Sequence, residues 1–110
     1  MKNEDAVRKF VNLVLTQAQK DDATDVVIAP AKRDAAPVRY RKAGKWHDFA
    51  PPPAHVRSGV VGELARMANL PDGPFPKEGV IRLVTAGVKS NWQLKAIAAE
   101  SEWVLTAIPD

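Results

Sequence analysis

The sequence predicts an α+β domain in the order helix, three strands, helix, three strands, with an antiparallel sheet covered by the helices on one face. Three observations lead there. Apolar residues near the N-terminus recur in steps of three and four, at Val7, Phe10, Val11, Val14, Leu15 and Ala18, which makes one stripe on a helix. A second stripe, Val56, Val60, Leu64, Met67 and Ala68, lies mid-chain. Between and after these stripes come short β-branched or alternating runs separated by only a few residues, and strands so closely linked must be antiparallel. Two striped helices then need a sheet face to cover.

The first helix is expected from about Asp5 to Lys20, with Asn3 as N-cap, Glu4 and Asp5 at the positive end of the helix dipole and Lys20 at the negative end. Asp21 to Asp25 is polar and turn-like, and these aspartates read as turn formers rather than as a carboxylate cluster. Val26-Val27-Ile28-Ala29 is a short strand that Pro30 ends. After a loop over 31–37, Val38 to Lys42 and Lys45 to Phe49 form a hairpin through Ala43-Gly44. Pro51-Pro52-Pro53 cannot continue a paired strand and lead stiffly into the second helix, which runs to about Asn69. Gly59 and Gly62 mark close backbone approach or space beside that helix. The breaker-rich loop 71–76 carries Phe75 as an anchor into the core. After Gly79, Val80 to Thr85 reads as a strand, Ala86-Gly87 turns it, and Trp92, Leu94 and Ala96 alternate with Asn91, Gln93 and Lys95 on the return. Glu100-Ser101-Glu102 turns the chain once more into a last strand from Trp103 to Ile108.

At 110 residues the chain fits one domain, since that length already buries roughly two thirds of the unfolded surface. Hydrophobic and charged fractions of 45% and 26% are those of an ordinary globular protein. Lys and Arg exceed Asp and Glu by 16 to 13, a bias too small to argue for nucleic acid. With no cysteine, disulfides, thiol catalysis and Cys-ligated metals are excluded. The first residues lack the apolar centre and cleavage site of an export signal, and no apolar run approaches the roughly 20 residues that cross a bilayer, so a cytoplasmic protein is expected.

The chemistry-bearing candidates are few. The stretch from Val38 to His47 puts Arg39, Arg41 and Lys45 around a tyrosine and a tryptophan on one hairpin that could press against an anionic or protein surface. Tyr40 and Trp46 are expected to form a cross-strand pair or core contact. Trp92 and Trp103 read first as core mass and second as interface residues. The two histidines, His47 and His55, have no spacing that would set both on one metal. No cofactor is expected, and no nucleophile has a recognisable base.

Four segments in order resemble the N-terminal domain that precedes the motor domain in the ATPases of type II secretion and type IV pilus assembly. They are Ala23 to Pro30 against A-S-D-I-H-I-E-P, Val38 to Gly44 against V-R-Y-R-x-D-G, Met67-Ala68-Asn69-Leu70 against M-A-N-L, and Pro76 to Ile81 against P-Q-D-G-R-I. The resemblance implies a PAS-like domain that sits against a neighbouring motor domain in a hexameric ring. It also implies arginines that approach the neighbour's nucleotide, at positions that are Val80 and Lys95 in this sequence. Val27 and Ala29 replace the family's His and Glu, Ala43 its hairpin Asp and Val80 its Arg. Lys95 keeps a charge without the planar guanidinium fork, and Arg82, on the same strand face as Val80, substitutes in part. These departures weaken the expectation of nucleotide sensing.

The family continues into a motor with a G-x-x-x-x-G-K-[ST] phosphate loop, a motif that these 110 residues do not contain. The expectation is therefore a noncatalytic module, either an excised domain or a gene for this module alone. It would dock on a motor domain or secretion-system component through Arg39, Arg41, Lys45, Arg82 and Lys95. The alternative is a PAS-like sensor holding a small molecule between sheet and helix, with Gly59 and Gly62 opening the space. Membrane contact is not expected, and nucleic-acid binding is disfavoured.

Overall fold

A helix of 19 residues, α1 (Lys2–Lys20), opens the chain and buries the stripe read from the sequence, with Val11, Val14, Leu15 and Ala18 at most 1% exposed. The computed structural model describes residues 2–29, 38–49, 56, 59–85, 87–98 and 102–109. The proline triplet, His55, the loop 31–37 and the turn residues 99–101 lie outside that set. Because α1 begins at Lys2, Asn3 stands inside its first turn and does not cap it.

The remaining described elements are β1 (Asp25–Ile28), β2 (Val38–Lys42), β3 (Lys45–Asp48), α2 (Val60–Met67), β4 (Lys77–Thr85), β5 (Val88–Ala96) and β6 (Trp103–Ala107). All six strands form one sheet in the order β3-β2-β1-β6-β5-β4, and each neighbouring pair is antiparallel. Each half of the chain contributes a three-stranded meander, and β1 and β6 join the two along a seam. The α+β class and the antiparallel sheet are as the sequence predicts.

The described helices α1 and α2 end in the same way. Asp22 takes a φ of 56°, the Ala23 N–H reaches back to the Ala18 carbonyl at 2.9 Å, and the Asp22 N–H reaches Gln19 at 3.1 Å. Asn69 (φ 53°) repeats this after α2, with Leu70 bonded to Ala65 and Asn69 to Arg66. This pair of reverse bonds satisfies the last carbonyls of a helix, and Asn and Asp tolerate the left-handed residue it requires. Asp22 therefore does turn chemistry.

The core lies between the helices and one face of the sheet, where Val26, Ile28, Val38, Ile81, Trp92, Leu94 and Leu105 pack against the α1 and α2 stripes. Trp92 and Trp103 both belong to it, at 0% and 5% exposure, so neither is an interface residue on this surface. Their indole N–H groups meet no acceptor among the described residues. Phe75 is half-buried, with its ring edge-on to Trp103 at 6.1 Å, the anchor expected of it.

One glycine departs from its sequence reading. Gly79 does not precede β4; it lies inside it, paired with Leu94, where a Cβ would stand 2.6 Å from the Ala68 carbonyl oxygen. The strand therefore starts at Lys77, and the glycine marks the place where the end of α2 presses on the sheet.

Candidate functional site

Alternation along the strands decides which side chains share a face. The helix-covered face takes Val26, Ile28, Val38, Ile81, Trp92 and Leu94, so their sequence neighbours point to the other, open face. Strand register lines these up in two rows across the sheet. One runs Trp46, Arg41, Asp25, Thr106, Gln93, Val80, and the next runs Asp48, Arg39, Val27, Val104, Lys95, Glu78. Arg82 follows beside Asn91. Four of the five expected partner residues, Arg39, Arg41, Arg82 and Lys95, thus occupy one surface formed by both halves of the chain. Lys45 pairs with Lys42 beside the turn and by the same alternation belongs to the opposite face.

The face carries mixed charge. Arg39 donates to Glu102 at 3.1 Å, and its guanidinium carbon lies 5.6 Å from the centre of the Trp46 ring. Arg41 stands 4.0 Å from Asp25, and Lys95 sits directly across from Glu78. Exposed ion pairs of this kind contribute little to stability but fix where charges are presented. Apolar side chains interrupt them: Trp46 is 48% exposed and Val84 65%. At one end of the face a groove of about 500 Å³ is lined by residues including Asp25, Lys89, Asn91 and Thr106.

The hairpin that supports Arg39 and Arg41 differs from expectation in one respect. Tyr40 and Trp46 are on opposite faces and do not pair. Tyr40 faces His47 with its ring stacked at 5.4 Å and meets Phe49 at 6.2 Å, while Phe49 reaches Phe10 of α1 at 6.5 Å. Trp46 is opposite Arg41. A two-residue turn makes this register, with Ala43 at φ 52° and Gly44 at φ 77°, as the mirror-type turns of tight hairpins require.

Other candidates fall away. Among the described residues no group of three His, Cys, Asp or Glu side chains could hold a metal ion. The two glycines invoked for a ligand space do not open one: a Cβ at Gly59 would meet Val7 at 2.8 Å, and Gly62 is exposed and points away from the core. Between the helices, the buried Glu63 carboxylate bonds to Arg66 and stands 3.8 Å from Arg8. Its hydrogen bonds and then its charge raise the Arg66 guanidinium above its ordinary pKa. This is a structural clamp of α1 on α2.

Comparison with known proteins points in the direction of the motifs. The chain is 33% identical over 85 residues to the type IV pilus assembly ATPase PilB of Myxococcus xanthus, a match that covers 76% of this chain. It is 34% identical over 83 residues, 74% of its length, to the type II secretion system protein HxcR of Pseudomonas aeruginosa. The chain is thus similar to a segment of each of these two proteins. It spans only 15% and 18% of the length of these two relatives, in keeping with the resemblance to their N-terminal domain. No protein-family model matches it. No described helix is long and apolar enough to cross a membrane.

Proposed function

We propose that the chain is a noncatalytic interaction module of a secretion or pilus assembly system, which docks through the open face of its sheet on an ATPase motor domain or another component of the apparatus. What carries this reading is the match to a pilus assembly ATPase and a type II secretion system protein over about three quarters of the chain but under a fifth of their length. The 110 residues contain no G-x-x-x-x-G-K-[ST] loop, hence no cradle of backbone amides and lysine to hold phosphates. Arg39, Arg41, Arg82 and Lys95 then present charge from a preformed surface, which steers encounter and fixes orientation more than it adds affinity. Under this reading the domain is PAS-like, works in the cytoplasm and takes its chemistry from its partner. Binding of nucleic acid through the basic hairpin fits less well, because Arg39 and Arg41 already face Glu102 and Asp25.

The test is capture of a purified cognate motor domain by the chain, compared with the double variant Arg41→Glu, Lys95→Glu. Binding that falls at least tenfold supports the surface named; unchanged binding sinks it. ATP turnover by the purified chain alone would end the noncatalytic reading.

A further inference from the structure

Strand β4 is an edge of the sheet, nine residues long, and its free side is self-complementary. The orientation of its backbone follows from a single bond. The Ile108 N–H donates to the Asn91 carbonyl at 2.9 Å, so Asn91 and, by alternation, Gln93 and Lys95 turn their backbone groups toward β6. Ser90, Trp92, Leu94 and Ala96 therefore turn theirs toward Leu83, Ile81, Gly79 and Lys77 of β4. Glu78, Val80, Arg82 and Val84 are left with N–H and C=O pointing off the sheet, and among the described residues no backbone bond engages them. Natural edges are commonly blunted by charged side chains, proline or bulges, and here the two outward-facing charges are of opposite sign. This one alternates an acid, an exposed valine, a base and a second exposed valine.

We propose that β4 pairs with β4 of a second copy of the chain, antiparallel about a two-fold axis at Val80, to give a continuous twelve-stranded sheet. In that register Glu78 lies directly opposite Arg82 of the second copy, and the symmetry makes the contact twice. Val80, 40% exposed in the single chain, meets its own counterpart between the two ion pairs. Axes at Glu78 or at Arg82 would set like charges opposite each other. The backbone parity agrees as well, because every residue paired across the new junction is one whose N–H and C=O point outward. The inference goes beyond the docking role proposed above and does not depend on it: Arg82 belongs to both surfaces, but Arg41 lies on β2, four strands away from β4 across the same face.

Sedimentation equilibrium of the full chain over a concentration series tests this, the expected result being a mass that doubles with concentration. Glu78→Arg and Arg82→Glu should each weaken the dimer roughly tenfold or more, by turning two attractions into repulsions. An equimolar mixture of the two variants should dimerise again, because the reversed charge at position 78 of one then faces the reversed charge at position 82 of the other. Val80→Pro removes an N–H that the single chain leaves unbonded, so it should abolish the dimer while circular dichroism stays that of the folded protein. A single-chain mass at every concentration, or a dimer that neither charge reversal disturbs, overturns the proposal. If Val80→Pro fails to fold, the mixing experiment still decides. Arg41→Glu should leave the dimer intact, which separates this result from failure of the docking role.

Discussion

Ala43 holds a left-handed backbone conformation that costs an alanine about 1–2 kcal/mol, in a turn for which Asn or Asp followed by Gly is the favoured pair. Ala43→Asn should therefore stabilise the domain by about 0.5–1 kcal/mol in urea denaturation. The glycines behave oppositely to one another. Gly62→Ala, in an exposed helical position with open space around it, should gain about 0.5–1 kcal/mol, whereas Gly79→Ala drives a methyl group into the Ala68 carbonyl and should lose about 1–3 kcal/mol. Trp46 is the one tryptophan of three that solvent reaches readily, so Trp46→Phe should remove most of the acrylamide-quenchable fluorescence and leave the blue-shifted emission of Trp92 and Trp103. These distinctions were only half legible beforehand. Sequence marks a glycine as special, but whether it is special for its dihedral angle, for a close neighbour or for neither depends on elements distant in the chain.

Among the elements, the first helix and the hairpins read best, whereas the second helix, expected to run from the prolines to about Asn69, is Val60–Met67 with Gly59 in a turn before it. The α1 stripe and the alternation of Trp92, Leu94 and Ala96 are local patterns whose period sets which side is buried, and the structure buries those sides. Element ends read worst, because α1 gained its first turn and β4 gained three residues, and neither had a local signal. Nor could the sequence show that Glu102 would pair with Arg39, since the two are brought together only by β6 lying beside β1. At this scale the two sides of β4 should differ in hydrogen exchange. In dilute protein the amides of Gly79, Ile81 and Leu83 should exchange slowly and those of Val80 and Arg82 fast, and the fast set should slow as concentration rises if the edge pairs with its copy.

Across the whole molecule the decisive pairing is the most distant one, Asp25 through Ile28 with Trp103 through Thr106. Neither meander has a complete sheet under the helices without the other, so a chain ending at residue 101 should lose cooperative thermal unfolding, as followed by circular dichroism. Pairing of such high sequence separation also sets the expected folding time in the range of milliseconds to seconds. The motifs that resemble those of the secretion and pilus ATPases did not disclose this seam, because strand order depends on packing between halves and not on the spacing within either. The seam has a mechanical consequence. β6 is gripped on both sides along its length, so tension pulling it along its own axis would load two ladders of bonds in shear, all at once, and not peel them open singly. A strand held in that way suits a part that must transmit force without giving way.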